Sequence, residues 1–277
     1  MNGENSENGR EFGLKLKCWG MALSFMVVAG GMVGDLRAQS IRELATDRPD
    51  ATESPVTVDE GWFQVEASMM SYSRDRSGGM LSESWSLGEM NIKYGVTDSD
   101  DIQVIVTPYV LEQTSGAGQS SDNDGVGDVT VRWKHNILGN DEGDIAFGLL
   151  PFVNVPVRSD VSNDHWEAGL VTPYSWTIDD RWSFGAQLEV GRMYNAADDR
   201  LDWSLSHTAV VGVAVTERLG FYFEYLGVSG DHPYEAYFSH GATFSLRKDI
   251  QLDAGTLIGL NDAAQDLTLF TGFSWKF

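Results

Sequence analysis

From residue 61 to the end of the chain, apolar and polar side chains alternate at a period of two in one segment after another. In 266–277, Leu267, Leu269, Thr271, Phe273, Trp275 and Phe277 share one face, while Asp266, Thr268, Gly272, Ser274 and Lys276 fall mainly on the other. Trp166, Ala168, Leu170, Thr172, Tyr174, Trp176 and Ile178 repeat the pattern, as do Trp182, Phe184, Ala186, Leu188 and Val190. Successive residues of a strand point to opposite sides of its sheet, so each run predicts a strand with one apolar and one polar face.

About twelve such segments can be laid down, each rich in β-branched and aromatic residues and bounded by Gly, Asp, Asn or Ser: 62–73, 84–96, 102–113, 128–138, 144–157, 165–178, 181–194, 202–216, 218–228, 234–247, 250–260 and 266–277. An even strand number and an apolar last strand ending on the aromatic Phe277 fit an all-β fold, a transmembrane antiparallel up-and-down β-barrel in the bacterial outer membrane. The connections alternate in length. Those at 74–83, 114–127, 158–164, 195–201, 229–233 and 261–265 are long, and those at 97–101, 139–143, 179–180, 217 and 248–249 are tight. That alternation predicts long loops outside the cell, short turns in the periplasm and both termini periplasmic. Trp62, Trp85, Trp166, Trp176, Trp182, Trp203 and Trp275 lie near segment ends, where interfacial girdles sit.

The N-terminus supplies an address. Arg10, Lys15 and Lys17 precede an apolar run over 18–33, followed by Leu36-Arg37-Ala38, which predicts a removed signal peptide over 1–38. The run is interrupted by Gly20, Gly30 and Gly31 and falls short of the ~20 residues of a membrane helix. Cys18, the only cysteine, would leave with it, so the mature chain would have no disulfide and no cysteine metal site. Residues 39–60 then form a periplasmic or lumenal N-terminal segment, and 61–277 the barrel.

The net charge is −22, and removal of 1–38 takes four basic and four acidic groups and leaves it unchanged. Such an excess disfavours nucleic acid as a partner and favours cations or plain solvation of loops. On the polar faces lie Glu66, Glu89, Lys93, Arg132, Lys134, Glu167, Glu189, Glu224 and Asp253, the candidate lining of a lumen. Charges of both signs facing one another form either a water-filled, ion-selective path or a cross-braced polar plug. The acids outnumber the bases, so a path would prefer cations unless the basic groups form its constriction.

Specific chemistry is sparse. Asp122 and Asp124 have the spacing of part of a calcium loop, but the later ligands are missing, so 114–127 reads as a solvated loop with no metal. Ser206–His207 and Ser239–His240 are sequence neighbours and on strands point to opposite faces. No HExxH or GxSxG occurs, and the expectation is a protein without enzymatic activity or cofactor.

The stretch TDRPDATESPVTVDEGWFQVE at 46–66 resembles the opening of an outer-membrane β-barrel family named for the meta-pathway of phenol degradation, also described as transporters. GDVTVRWKHNILGNDEG at 127–143 and PFVNVPV at 151–157 look like the same family, although PFVNVPVRSDVSN lacks the glycine-bearing turn usual after the second proline. The resemblance implies an outer-membrane barrel and marks Asp47, Arg48, Pro49, Asp50, Glu53, Ser54 and Pro55 as its opening motif. Arg48 could pair with Asp47, Asp50 or Glu53, and the two prolines could hold an extended segment that enters the lumen, caps its periplasmic mouth or tethers the first strand. The expected function is passive passage of small solutes, among them aromatic or hydrophobic compounds, through a charged lumen. The alternatives are a non-conducting structural or surface-interaction barrel and a lipid-modifying enzyme. The expected partners are outer-membrane lipid, a small-molecule solute and the barrel-insertion machinery, which would read Phe277 in the last strand.

Overall fold

The structure, a computed structural model, describes residues 41–277 apart from Ala117 and Ala197. The expected signal peptide, with Cys18, lies outside the described residues. Fourteen strands follow one another: β1 (Phe63–Ser77), β2 (Met80–Thr97), β3 (Asp100–Val106), β4 (Tyr109–Gly116), β5 (Gln119–Gly125), β6 (Val129–Leu138), β7 (Ile145–Val155), β8 (Glu167–Thr177), β9 (Trp182–Asn195), β10 (Arg200–Ala214), β11 (Leu219–Ser229), β12 (Glu235–Arg247), β13 (Ile250–Gly259) and β14 (Leu267–Lys276). All pairings between them are antiparallel, and β1 pairs with both β2 and β14, which closes the sheet into a barrel.

The barrel has twelve staves rather than fourteen. β3 and β4 both pair with β2 and are two halves of one stave, interrupted at Thr107 and Pro108. Proline has no N–H to give to a ladder and breaks it there. The next stave is split to match, β5 pairing with β4 and β6 with β3. Gly127 N–H donates to the Thr107 carbonyl at 2.9 Å and bridges the gap.

Side chains are sorted inside out. Lys93, 1% exposed, and Glu66, 2% exposed, face the interior, whereas Trp203 is 62% and Leu188 56% exposed on the outer surface. Lipid as the surrounding solvent reverses the usual burial preference. At the seam Phe63 and Phe277 exchange two backbone hydrogen bonds of 2.8 Å and stack with ring centroids 6.0 Å apart. Phe277 also packs on Trp275 at 4.3 Å. The end of the barrel that carries this seam is called the terminus end below.

Two connections differ from expectation. Residues 74–83 continue the β1–β2 ladder from Arg74 opposite Glu83 out to a turn at Gly78 and Gly79, both with positive φ. Residues 114–127, expected as a loop, contain the β4–β5 hairpin, with Thr114 opposite Ser121. Both faces of such an extension meet water, so no apolar alternation marks it in the sequence. The residues identified as long loops are therefore in part strand pairs that run on beyond the apolar band.

Candidate lumenal site

β1, β2, β3 and β6 bring long polar side chains to one wall of the interior. Gln64 lies opposite Lys93, Asp101 opposite Lys134 and Gln103 opposite Arg132, so register alone places three cations within reach of one another. Three buried positive charges need anions, and the first described residues supply them. Residues 41–60 form no strand but make hydrogen bonds to inward-facing side chains around the barrel.

The segment is anchored at the terminus end by Arg42, which donates to the Asp98 carbonyl at 2.8 Å and pairs with Asp141 at 2.6 Å. Lys276 from β14 meets Asp59 at 3.1 Å. Between these anchors the chain reaches deeper. The Asp47 carboxylate pairs with Lys93, with Lys134 at 2.7 Å and with Arg132 at 3.4 Å. Lys93 also pairs with Glu66, whose carboxylate accepts the backbone N–H groups of Asp47 and Arg48. Glu53 takes two hydrogen bonds from Arg132, at 2.5 and 2.9 Å. On the other side of the lumen Glu224 accepts the N–H groups of Ala51 and Thr52 at 2.9 Å and the Thr52 hydroxyl at 2.7 Å. Asn136 donates to the Pro55 carbonyl at 2.9 Å.

Arg48 pairs with none of Asp47, Asp50 or Glu53. Its guanidinium makes a two-pronged bond to Asp253 of β13, at 2.6 and 3.2 Å. The local acids are occupied, Asp47 and Glu53 having gone to the cations of β2 and β6.

Two acids of the segment have opposite electrostatics. Burial pushes the Asp47 carboxyl up, but the charges of Lys134, Lys93 and Arg132 outweigh it and hold that group well below the usual carboxylate range. Asp50 faces no cation partner, and burial, reinforced by Glu224, pushes its carboxyl well above that range.

The nine candidate lining residues thus separate. Glu66, Lys93, Arg132 and Lys134 gather at Asp47, while Glu224 and Asp253 each hold a different part of the segment. Glu167 lies apart at the opposite end, accepting from Asn154 at 2.7 Å, Asn163 at 2.9 Å and Tyr194 N–H at 2.8 Å. Glu89 is exposed, with one long contact of 3.4 Å from the Thr107 hydroxyl, and Glu189 has no hydrogen bond or ion pair among the described residues. Among the described residues no group of three or more His, Cys, Asp or Glu could hold a metal ion. Ser239 is buried and bonded to Tyr222, while its sequence neighbour His240 contacts Thr256.

The β9–β12 wall is different. Ser183, Gly212, Ala214, Gly220 and Thr243 lie beside one another at the terminus end and bound a cavity of about 340 Å³, with Arg48, Pro49, Asp50 and Tyr222 on its inner side. A second cavity of about 210 Å³ is lined by Arg48, Pro49, Ser68, Ser71, Ser86, Glu89 and Phe270. Asp101, Thr52 and Tyr222 were not singled out in the sequence; Asp101 fell in an expected turn, and small wall residues carry no chemical signature.

The family model described as "Putative MetA-pathway of phenol degradation" matches residues 46–277, which is the motif segment together with the whole barrel. The chain belongs to this family. Among solved structures, an outer membrane channel from Pseudomonas putida F1 superposes with a TM-score of 0.59 at 14% identity, covering 84% of this chain and 100% of that one. The NanC porin gives a TM-score of 0.49 at 10% identity, covering 78% and 100%, and the Ralstonia pickettii toluene transporter TbuX gives 0.43 at 10%, covering 79% and 90%. At these identities the first likeness speaks for fold alone, and the other two lend no further weight. A search of curated proteins finds no match. The fold is that of outer-membrane β-barrels, as the residue pattern predicted.

Proposed function

We propose that this family member is an outer-membrane channel through which small solutes pass passively along the β9–β12 side of the lumen, with the terminus end in the periplasm. One observation carries the reading. Beside the opening-motif segment the interior keeps a cavity of about 340 Å³ against a wall of Ser, Gly, Ala and Thr. A barrel closed for structural reasons alone would gain by filling that wall with packed side chains.

Glu66, Lys93, Arg132 and Lys134 hold the segment in place, and Arg48, Asp50, Asp179, Asp180 and Arg181 in the larger cavity and Glu89 in the smaller are ionisable groups left to face a solute. Arg48 and Asp50 sit beside Pro49, Val210 and Tyr222 in the cavity lining, a mixture suited to a small amphipathic molecule. An aromatic ring bearing a hydroxyl group has that character and agrees with the family description. The apolar strand ending on Phe277, bonded at the seam, is the proposed signal to the insertion machinery, and residues 1–38 the proposed cleaved leader.

Single-channel recording of the purified barrel in a planar bilayer under a salt gradient tests the proposal. Discrete, cation-preferring steps are expected. Silence from protein shown to be folded by heat-dependent gel mobility would contradict it. The ion-pair network around Asp47 favours a second reading, a structural barrel plugged by this segment, and that reading predicts silence from the wild type and conductance only from a variant lacking 46–55.

A further inference from the structure

Arg48 and Pro49 line two neighbouring cavities of the described lumen. The larger reaches the β8–β9 turn through Asp179, Asp180 and Arg181, at the terminus end. The smaller lies farther up β1 and β2, at Ser71 and Ser86. A residue that borders two neighbouring spaces is the wall between them.

The way Arg48 is held suits a partition rather than a structural brace. Its side chain is 17% exposed while that of Asp253 behind it is fully buried, so the guanidinium stands between a carboxylate and open space. It lies 6.0 Å from the Phe270 ring centroid and fits over Gly272, where a Cβ would fall 2.4 Å from Nη2. Asp47 has three cations, but Asp253 is the single ionic partner of Arg48. Beyond the pair, the acids lining the cavities are Asp50, Asp179 and Asp180 in the larger, with Arg181, and Glu89 in the smaller.

We infer that Arg48 sets the size and charge limit of the path: its guanidinium, fixed on Asp253, is the partition that separates the two lumenal cavities. This rests on the channel reading above. Arg48 and Asp253 cancel at the partition, so the acids on either side decide the preference for cations. A lone charge left at that point by substitution would dominate it.

Three variants, Arg48→Ala, Asp253→Asn and the double variant Arg48→Ala/Asp253→Asn, are prepared as full chains from outer membranes and checked for heat-dependent gel mobility. The double variant leaves no buried charge unpaired and keeps the test open if Arg48→Ala fails to fold. Conductance in planar bilayers should rise about two- to fivefold in the double variant, because the narrowest segment dominates the resistance. Liposome swelling should admit larger neutral sugars. The reversal potential should move toward anions in Asp253→Asn and toward cations in Arg48→Ala. A conducting wild type with folded variants unchanged in conductance, size limit and reversal potential would overturn the assignment of Arg48 and leave the channel standing. A silent wild type with a conducting double variant would overturn the channel reading and show the pair to be part of a plug. Silence from both would overturn the partition and the channel together.

Discussion

The β1–β6 wall and the β9–β12 wall belong to one barrel and alternate in the same way, yet one is crowded with Lys93, Arg132, Lys134, Glu66 and Gln103 and the other is built of Ser183, Gly212, Ala214, Gly220 and Thr243. The crowded wall has cations on adjacent staves and recruits Asp47 and Glu53 from the N-terminal segment. The small residues at the terminus end of the second wall give the described segment no hydrogen bond, whereas deeper in the same wall Gln187, Thr208 and Glu224 hold Ala51, Thr52 and Glu53. The difference shows that a segment can be fastened firmly and still leave a cavity of about 340 Å³ beside it, so a strong ion-pair network does not by itself close a path.

The largest test of this contrast removes the fastening. Asp47→Ala would leave Lys93, Lys134 and Arg132 with one carboxylate fewer in a dry site, and loss of one partner from such a cluster costs about 3–5 kcal/mol. A lower urea midpoint for barrel unfolding should show it. Ala214→Trp should do the reverse experiment on the bare wall: it fills the 340 Å³ cavity, lowers conductance by about half or more, and leaves the urea midpoint nearly where it was.

A pH series sharpens the comparison further. Asp47 is held below its ordinary range, so its contribution is present above that range and is lost as pH falls through its depressed value. Asp50 is raised, so its contribution is full below the ordinary range and is lost as pH rises through its raised value. Cation preference should accordingly grow as pH rises through the window above the ordinary aspartate range, and Asp50→Asn should flatten that rise. Strong acid should loosen the segment on the crowded wall. The smallest effect belongs to Glu89→Gln, which should shift the reversal potential slightly toward anions with no change in stability, since Glu89 has one weak contact.

The barrel was legible because lipid outside and polar atoms inside write a period-two signal into every stave. The last strand shows this best: Leu269 is exposed and Ser274 buried, as its alternation requires. The hairpin extensions at 74–83 and 114–125 were read as loops because water on both faces removes that signal. Inward-facing Glu66, Lys93, Arg132 and Lys134 were visible as polar positions, but their convergence on Asp47 depends on which staves are neighbours. The Arg48–Asp253 pair spans 205 positions in the sequence, and only closure of the sheet brings it together. The cavity wall was the least visible, since its evidence is small residues at one level of four adjacent strands.

Cysteine accessibility tests the central claim most directly. The one native cysteine, Cys18, lies in the expected leader, so an introduced thiol in the mature barrel would be unique. During single-channel recording, a charged water-soluble thiol reagent should cut the current of Thr243→Cys, on the bare wall, and leave that of Asn91→Cys, on the crowded wall, unchanged. Block at Asn91→Cys with none at Thr243→Cys would place the path on the opposite side of the segment and contradict the account.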